Sequence, residues 1–165
     1  MNRRTYYAAL GLFMVAAAYV LFFRKTDEDR INDQLRALAA AVHKEPGENE
    51  MLRAMRVEKA FTRLLTREVE LSLPEAPTGR RARSELATLT VGAGHEASRI
   101  GLAYERVHIE IERPLSRAWV TCTAVITASP SEGSGSREAR EVVLGFVEEE
   151  GEWRITRVAT PGGER

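Results

Sequence analysis

The sequence has little of what catalytic metal sites and nucleic-acid interfaces are built from. Its one cysteine, Cys122, can form neither an intramolecular disulfide nor a thiolate cluster. Its three histidines, His43, His95 and His108, lack the spacing of metal ligands, so no metal and no other cofactor is predicted. Lys plus Arg number 24 and Asp plus Glu number 24, which leaves no positive field to attract nucleic acid. Nucleic acid is therefore not expected as a partner.

One long apolar run lies near the start of the chain. Tyr6–Phe23 contains no charged residue and has basic residues on both sides. As a helix it would cross the roughly 30 Å of a bilayer's hydrocarbon core. A cleavable signal peptide is the alternative, because Ala16–Ala18 fits a cleavage site, but cutting there would leave an apolar end on the mature chain. We predict an uncleaved anchor within residues 1–25 that binds the lipid bilayer.

The topology of this anchor follows from the charges beside it. Two basic residues flank the run on each side, so the comparison of positive charge is nearly balanced. The short basic amino terminus is the usual cytoplasmic end. We expect a single-pass cell-membrane protein whose body, residues 26–160, lies outside the cytoplasm on the periplasmic side, with a short tail at 161–165.

Apolar residues at helical spacing predict two helices directly after the anchor. The first, residues 27–43, carries one narrow apolar stripe, and it either packs on the domain or acts partly as a stalk. The second, about residues 50–66, is predicted to be a core helix whose inward face begins at Met51 and continues through Val57 and Phe61.

A third helix is predicted from about residue 80 to residue 91. Its first turn would hold Arg80, Arg81 and Arg83. Cations at that end oppose the helix dipole unless an anion offsets them. These three arginines are therefore a candidate anion contact.

The last third of the body alternates apolar and polar residues over several stretches, which predicts an antiparallel meander. The parity of this alternation changes between Leu102 and Val107. Such a change predicts a bulge near Tyr104 to Arg106, and bulges bend sheets. The fold class predicted is α+β, with about three helices packed on a curved, mainly antiparallel sheet.

One predicted strand, residues 118–128, has a face without charge. If Val120, Cys122, Ala124 and Ile126 point toward the helices, the opposite face is exposed and uncharged. Its members are Trp119, Thr121, Thr123, Val125 and Thr127. Interface cores favour aromatic, charge-poor surfaces, although threonine is also simply a good strand former. We predict an interface there for a homodimer or an envelope protein partner.

Two stretches carry a resemblance to a known family. The run from Phe61 to Leu71 is a helix leading into a strand, and Phe146–Ile155 combines an apolar strand, an acidic turn with glycine, and Trp-Arg-Ile. Together with the order of elements over about residues 27–159, they resemble the nuclear transport factor 2-like, or cystatin-like, α+β superfamily. The resemblance implies a cone with a pocket between helices and sheet. Ketosteroid isomerases, polyketide cyclases and dehydratases use that pocket. Many members are non-catalytic, and membrane-tethered members include assembly proteins of type IV secretion.

The chemistry of the family's enzymes is poorly represented in this chain. Those enzymes use pocket aspartates and tyrosines, whereas all aspartates here lie within residues 27–33 and Tyr104 is the only tyrosine after the anchor. His108 and Glu110 share a strand face with Arg106 and form, with Tyr104, a weak catalytic candidate. We expect a membrane-tethered, non-catalytic domain that binds partners or a small ligand in a cell-envelope assembly. The alternative is a pocket enzyme resembling the isomerases or cyclases.

Overall fold

The structure is a computed structural model that describes residues 25–74, 78–130 and 134–162. The predicted anchor, Tyr6–Phe23, lies outside these residues. Among the residues that are described, no helix is both long enough and apolar enough to span a membrane.

The described chain begins with two helices, and a third helix lies between its second and third strands. The helices are α1 (Asp27–Val42), α2 (Glu50–Leu64) and α3 (Arg83–Ala93). The strands are β1 (Leu65–Ser72), β2 (Gly79–Ala82), β3 (Ala97–Glu112), β4 (Arg117–Pro130), β5 (Ser136–Glu149) and β6 (Glu152–Ala159). A short 3-10 turn, Arg113–Leu115, joins β3 to β4.

The strands form one six-stranded sheet in the order β2-β1-β6-β5-β4-β3. Only the β1–β6 pair is parallel among the pairings of this sheet. The helices pack on one face, here called the inner face, and the opposite face is the outer face. This arrangement confirms the predicted α+β class and the mainly antiparallel sheet.

A bulge in β3 changes which side chains face the helices. Its register with β4 shifts between Glu105 and His108, and Arg106 adopts a φ of 53°. Tyr104, before the shift, and Ile109, after it, both pack against the core cluster. The bulge predicted from the change of parity is confirmed, and it bends the sheet around the helices.

The core lies between the helices and the inner face of β4, β5 and β6. Its largest fully buried side chains include Trp153, Phe146 and Ile155 of the sheet. From α1, Ile31 and Leu35 enter the same cluster with 0% and 2% of their surface exposed. Helix α1 therefore packs on the domain along its apolar stripe, which is the first of the two alternatives drawn from the sequence.

The inward face of α2 differs from the prediction. Met51 is 74% exposed, and the buried stripe begins instead at Arg53, which is 2% exposed. The Arg53 guanidinium donates hydrogen bonds to the carbonyls of Val91 (3.0 Å) and Thr90 (3.1 Å) at the end of α3. An arginine can occupy an inward position because it satisfies carbonyls that the helix end leaves without partners.

Helix α3 begins later than predicted. Residues Gly79–Ala82 form β2, in which Arg80 pairs with Glu70 and Arg81 pairs with Val69 of β1. Their backbone extends the edge of the sheet, so Arg80 and Arg81 do not stand in the first turn of a helix. The prediction of three arginines crowded at one helix end is wrong.

Candidate functional site

The inner face carries two neutral polar groups, Tyr104 and Cys122. Burial raises the pKa of the Tyr104 phenol well above its usual range, and the neighbouring Cys122 raises it further. Burial also raises the pKa of the Cys122 thiol to about 11. Both side chains are therefore protonated at neutral pH, and neither is a base there.

His108 and Glu110 lie on the outer face. Because the bulge precedes them, Ile109 takes the inward position and its two neighbours point away from the helices. His108 Nε2 and Glu110 Oε1 are 3.5 Å apart, with 73% and 52% of their side chains exposed. The pair is a solvated contact, and it does not converge with Tyr104.

Arg106 shares the outer face with His108 and Glu110, but its hydrogen bonds go to neither of them. Its Nε and Nη2 donate hydrogen bonds to the hydroxyl of Thr123 at 3.2 and 2.8 Å. The guanidinium thus lies over β4, because the left-handed backbone of the bulge redirects the side chain. The four residues predicted as a weak catalytic candidate do not form a single site.

The predicted interface face of β4 is only partly exposed. The register of β4 with β5 runs without interruption from Arg117 to Ala128, so the odd-numbered residues do share the outer face as expected. Yet Thr123 and Val125 are each 4% exposed, and Arg106 covers the first of them. Ile126, expected inside, is 47% exposed because β4 extends beyond the core cluster. The accessible members are Thr121, Thr127 and, in part, Trp119.

The three arginines predicted to contact an anion point to different places. Arg81 forms an ion pair with Glu85 at 2.9 Å, and Arg83 donates a hydrogen bond to the carbonyl of Thr62 at 3.2 Å. Only Arg80 of the three lines a groove on the outer face. These residues therefore do not form one anion site.

The groove on the outer face was not anticipated from the sequence. This outer groove has a volume of about 740 Å³. Its lining includes Arg67, Glu70, Arg80, Arg117, Trp119 and Arg157. The one available signal was Gly145 in the middle of a strand, because such a glycine often marks a place where another group approaches closely.

Comparison with solved structures identifies the fold. The Kfla4162 protein from Kribbella flavida matches with a TM-score of 0.67 at 11% identity, over 81% of this chain and 88% of that one. An NTF2-like protein with a cystatin-like fold from Novosphingobium aromaticivorans matches with a TM-score of 0.60 at 16% identity, over 91% and 90%. A candidate scytalone dehydratase from the same organism matches with a TM-score of 0.64 at 12% identity, over 84% and 95%. The chain has the NTF2-like, or cystatin-like, fold.

Identities this low establish the NTF2-like fold and no activity. No protein-family model and no curated protein matches the sequence. Within residues 25–74, 78–130 and 134–162, no group of three or more His, Cys, Asp or Glu residues is placed to hold a metal ion. The chemistry of this NTF2-like domain must therefore be inferred from its own side chains.

Proposed function

We propose that the chain is a membrane-tethered, non-catalytic NTF2-like domain that binds a protein partner or a small ligand within a cell-envelope assembly. The observation that carries the proposal is the separation of Tyr104, on the inner face, from His108 and Glu110, on the outer face. General acid–base catalysis requires such groups within hydrogen-bond reach of one substrate. Here they lie on opposite sides of the sheet.

The inner face supports the same proposal. It packs apolar side chains of β4, β5 and β6 against the helices, and Tyr104 and Cys122 stay neutral there. A surface packed in this way offers no base at neutral pH. The alternative, a pocket enzyme, rests on one observation, the neutral Tyr104 phenol on the inner face, which is a hydrogen-bond donor.

The topology is tested by the accessibility of a loop residue in whole cells. Ser134 lies exposed at the hairpin between β4 and β5, and a Ser134→Cys substitution in a Cys122→Ala background carries a single thiol. We expect a membrane-impermeant thiol reagent to label the full-length protein in intact cells. Labelling only after lysis would reverse the topology.

Partner binding is tested on the accessible part of the β4 face. Thr121 is exposed and lies next to Trp119 on that face, whereas Thr123 is buried and its replacement would disturb the fold. For a homodimer, Thr121→Lys should convert the detergent-solubilised protein to a monomer in sedimentation. The matched control is Thr88→Lys, on the exposed side of α3. Two results together would leave this face without the proposed role. The wild-type protein would be a monomer, and cross-linking from Thr121 in cells would capture no envelope partner.

A further inference from the structure

A single row of residues crosses the whole outer face. Each member is the register partner of the next, from β3 at one edge to β2 at the other. The members are Glu110, Trp119, Gly145, Arg157, Glu70 and Arg80. All but Glu110 line the outer groove. The groove is thus built by aligned positions on five neighbouring strands.

The middle of this row offers a surface that suits a planar ligand. At Gly145 an added Cβ would come within 3.0 Å of Trp119 Cζ3 and 3.1 Å of Arg157 Cβ. Because glycine has no Cβ, the indole and the arginine stem approach each other across β5. An indole beside an arginine stem presents an apolar surface against which a planar ring can stack.

The carboxylates of the outer groove already have cationic neighbours. Arg80 lies 4.0 Å from Glu68, and Arg157 lies 3.9 Å from Glu70. Glu149, the third carboxylate of the lining, lies 3.7 Å from Arg154. These contacts balance the negative charge of the groove before a ligand arrives.

Two arginines of the outer groove have no anionic neighbour among the described residues. Within the part of the chain that the structure describes, the side chains of Arg67 and Arg117 have neither a hydrogen bond nor an ion pair, and both line the groove. The Nε of Arg157 is buried without a hydrogen-bond partner, on a side chain that is 16% exposed. That nitrogen is enclosed by protein atoms, so a ligand in the groove would meet the accessible part of the Arg157 side chain, which lines it.

We propose that the outer groove binds a small planar carboxylate, with its ring against Trp119 and its carboxylate among Arg117, Arg157 and Arg67. The volume of about 740 Å³ lies within the range of small-molecule sites, roughly 300–1,000 Å³. Arginine is suited to this task because its planar fork matches a carboxylate. The proposal deepens the small-ligand part of the proposed function by naming the site and the class of ligand.

The probe is benzoate, with benzamide as its uncharged match. The chain has only two tryptophans, so ¹⁵N-indole labelling of the full-length protein in a non-ionic detergent yields one signal in the groove and one in the core. Trp119→Phe assigns them, since Trp153 is 2% exposed on the inner face. We expect benzoate to shift the Trp119 signal in a saturable way, to leave the Trp153 signal in place, and to act more strongly than benzamide.

Charge variants locate the carboxylate. Removal of a hydrogen bond to a charged group is worth about 1.5–3 kcal/mol, so Arg117→Gln should raise the Kd of benzoate about tenfold or more. Arg63→Gln is the matched control, because Arg63 is exposed on α2 and does not line the groove. Both variants should keep the wild-type Trp153 signal, which reports that the core is intact.

Three results would overturn the inference. Equal shifts by benzoate and benzamide would show that charge is not recognised, and an unchanged Kd in Arg117→Gln would remove the carboxylate site. A Trp119 signal that responds to protein dilution but not to benzoate would assign the groove to a second copy of the chain. The last outcome would support the association proposed at Thr121, so failure of the groove proposal is distinguishable from failure of the proposed function.

Discussion

Gly145 is the register partner of Trp119 in the neighbouring strand, and an added Cβ would come within 3.0 Å of Cζ3 of the indole. The contact leaves little room, because Arg157 Cβ would be 3.1 Å away on the other side. We expect Gly145→Ala to destabilise the body of the protein by about 1–3 kcal/mol, the usual cost of overpacking. Chemical denaturation of residues 26–165 measures this loss.

A second glycine provides the control. Gly92, near the end of α3, has no atom within 4 Å of an added Cβ. Gly92→Ala should therefore be neutral or stabilise the fold by up to about 1 kcal/mol, through helix propensity alone. If both substitutions have the same effect, the close approach of Trp119 to Gly145 is wrong.

Local alternation in the sequence predicted the sheet well but not the surface. The parity change around Tyr104 predicts the bulge directly. The apolar stripe of α1 predicts which side of that helix is buried. Exposure of Thr123 could not be predicted, because it depends on where the Arg106 side chain turns after the bulge. The outer groove could not be predicted because it depends on the pairing of residues as distant in the chain as Glu70 and Arg157. The register of such a parallel pair cannot be derived from a single sequence.

The predictions for the start of α3 and for the inward face of α2 failed for a related reason. Helical spacing treats Met51 and Arg53 by polarity alone, yet the end of α3 offers carbonyls that a buried guanidinium can satisfy. Likewise, Arg80 in the edge strand β2 pairs with Glu70, which lies ten residues earlier in the chain. In both places a tertiary contact overrides the local preference.

Trp153 is expected to be a structural residue. It is 2% exposed among core side chains, and its Nε1 has no hydrogen-bond partner within the described residues. Trp153→Ala should cost about 3–5 kcal/mol of unfolding free energy, as for other large core side chains. Trp153→Phe keeps an aromatic ring and loses an unpaired donor, so it should cost clearly less. Equal losses for the two variants, or a loss below about 1 kcal/mol for alanine, would contradict this role.

The thiol of Cys122 makes stability depend on alkaline pH. Burial raises its folded pKa to about 11, above the roughly 8.5 of an exposed thiol. The folded state therefore binds the proton more tightly, and the stabilisation is complete below about pH 8.5 and is lost as pH rises toward 11. We expect wild type to lose more stability than Cys122→Ala between pH 8 and pH 10.5 in urea titrations. Parallel pH profiles would show that the thiol is not buried.

Arg53 should be coupled energetically to Gly94. The guanidinium occupies the space into which a Cβ at Gly94 would project, while it also binds the carbonyls at the end of α3. Arg53→Met keeps the apolar stem and removes the donors, so it should cost about 1.5–3 kcal/mol, the value of hydrogen bonds from a charged group. Arg63→Met, at an exposed position of the same helix, should change stability by less than about 0.5 kcal/mol.

The double variant separates lost hydrogen bonds from lost space. Gly94→Ala should destabilise the wild type, because the new methyl group displaces the Arg53 guanidinium. In the Arg53→Met background that group is absent, and a flexible methionine can give way, so the same substitution should cost less. The two effects should therefore be non-additive by about 0.5–3 kcal/mol, as for residues in direct contact. Additive losses in denaturation of the two single variants and the double variant would place Arg53 away from Gly94.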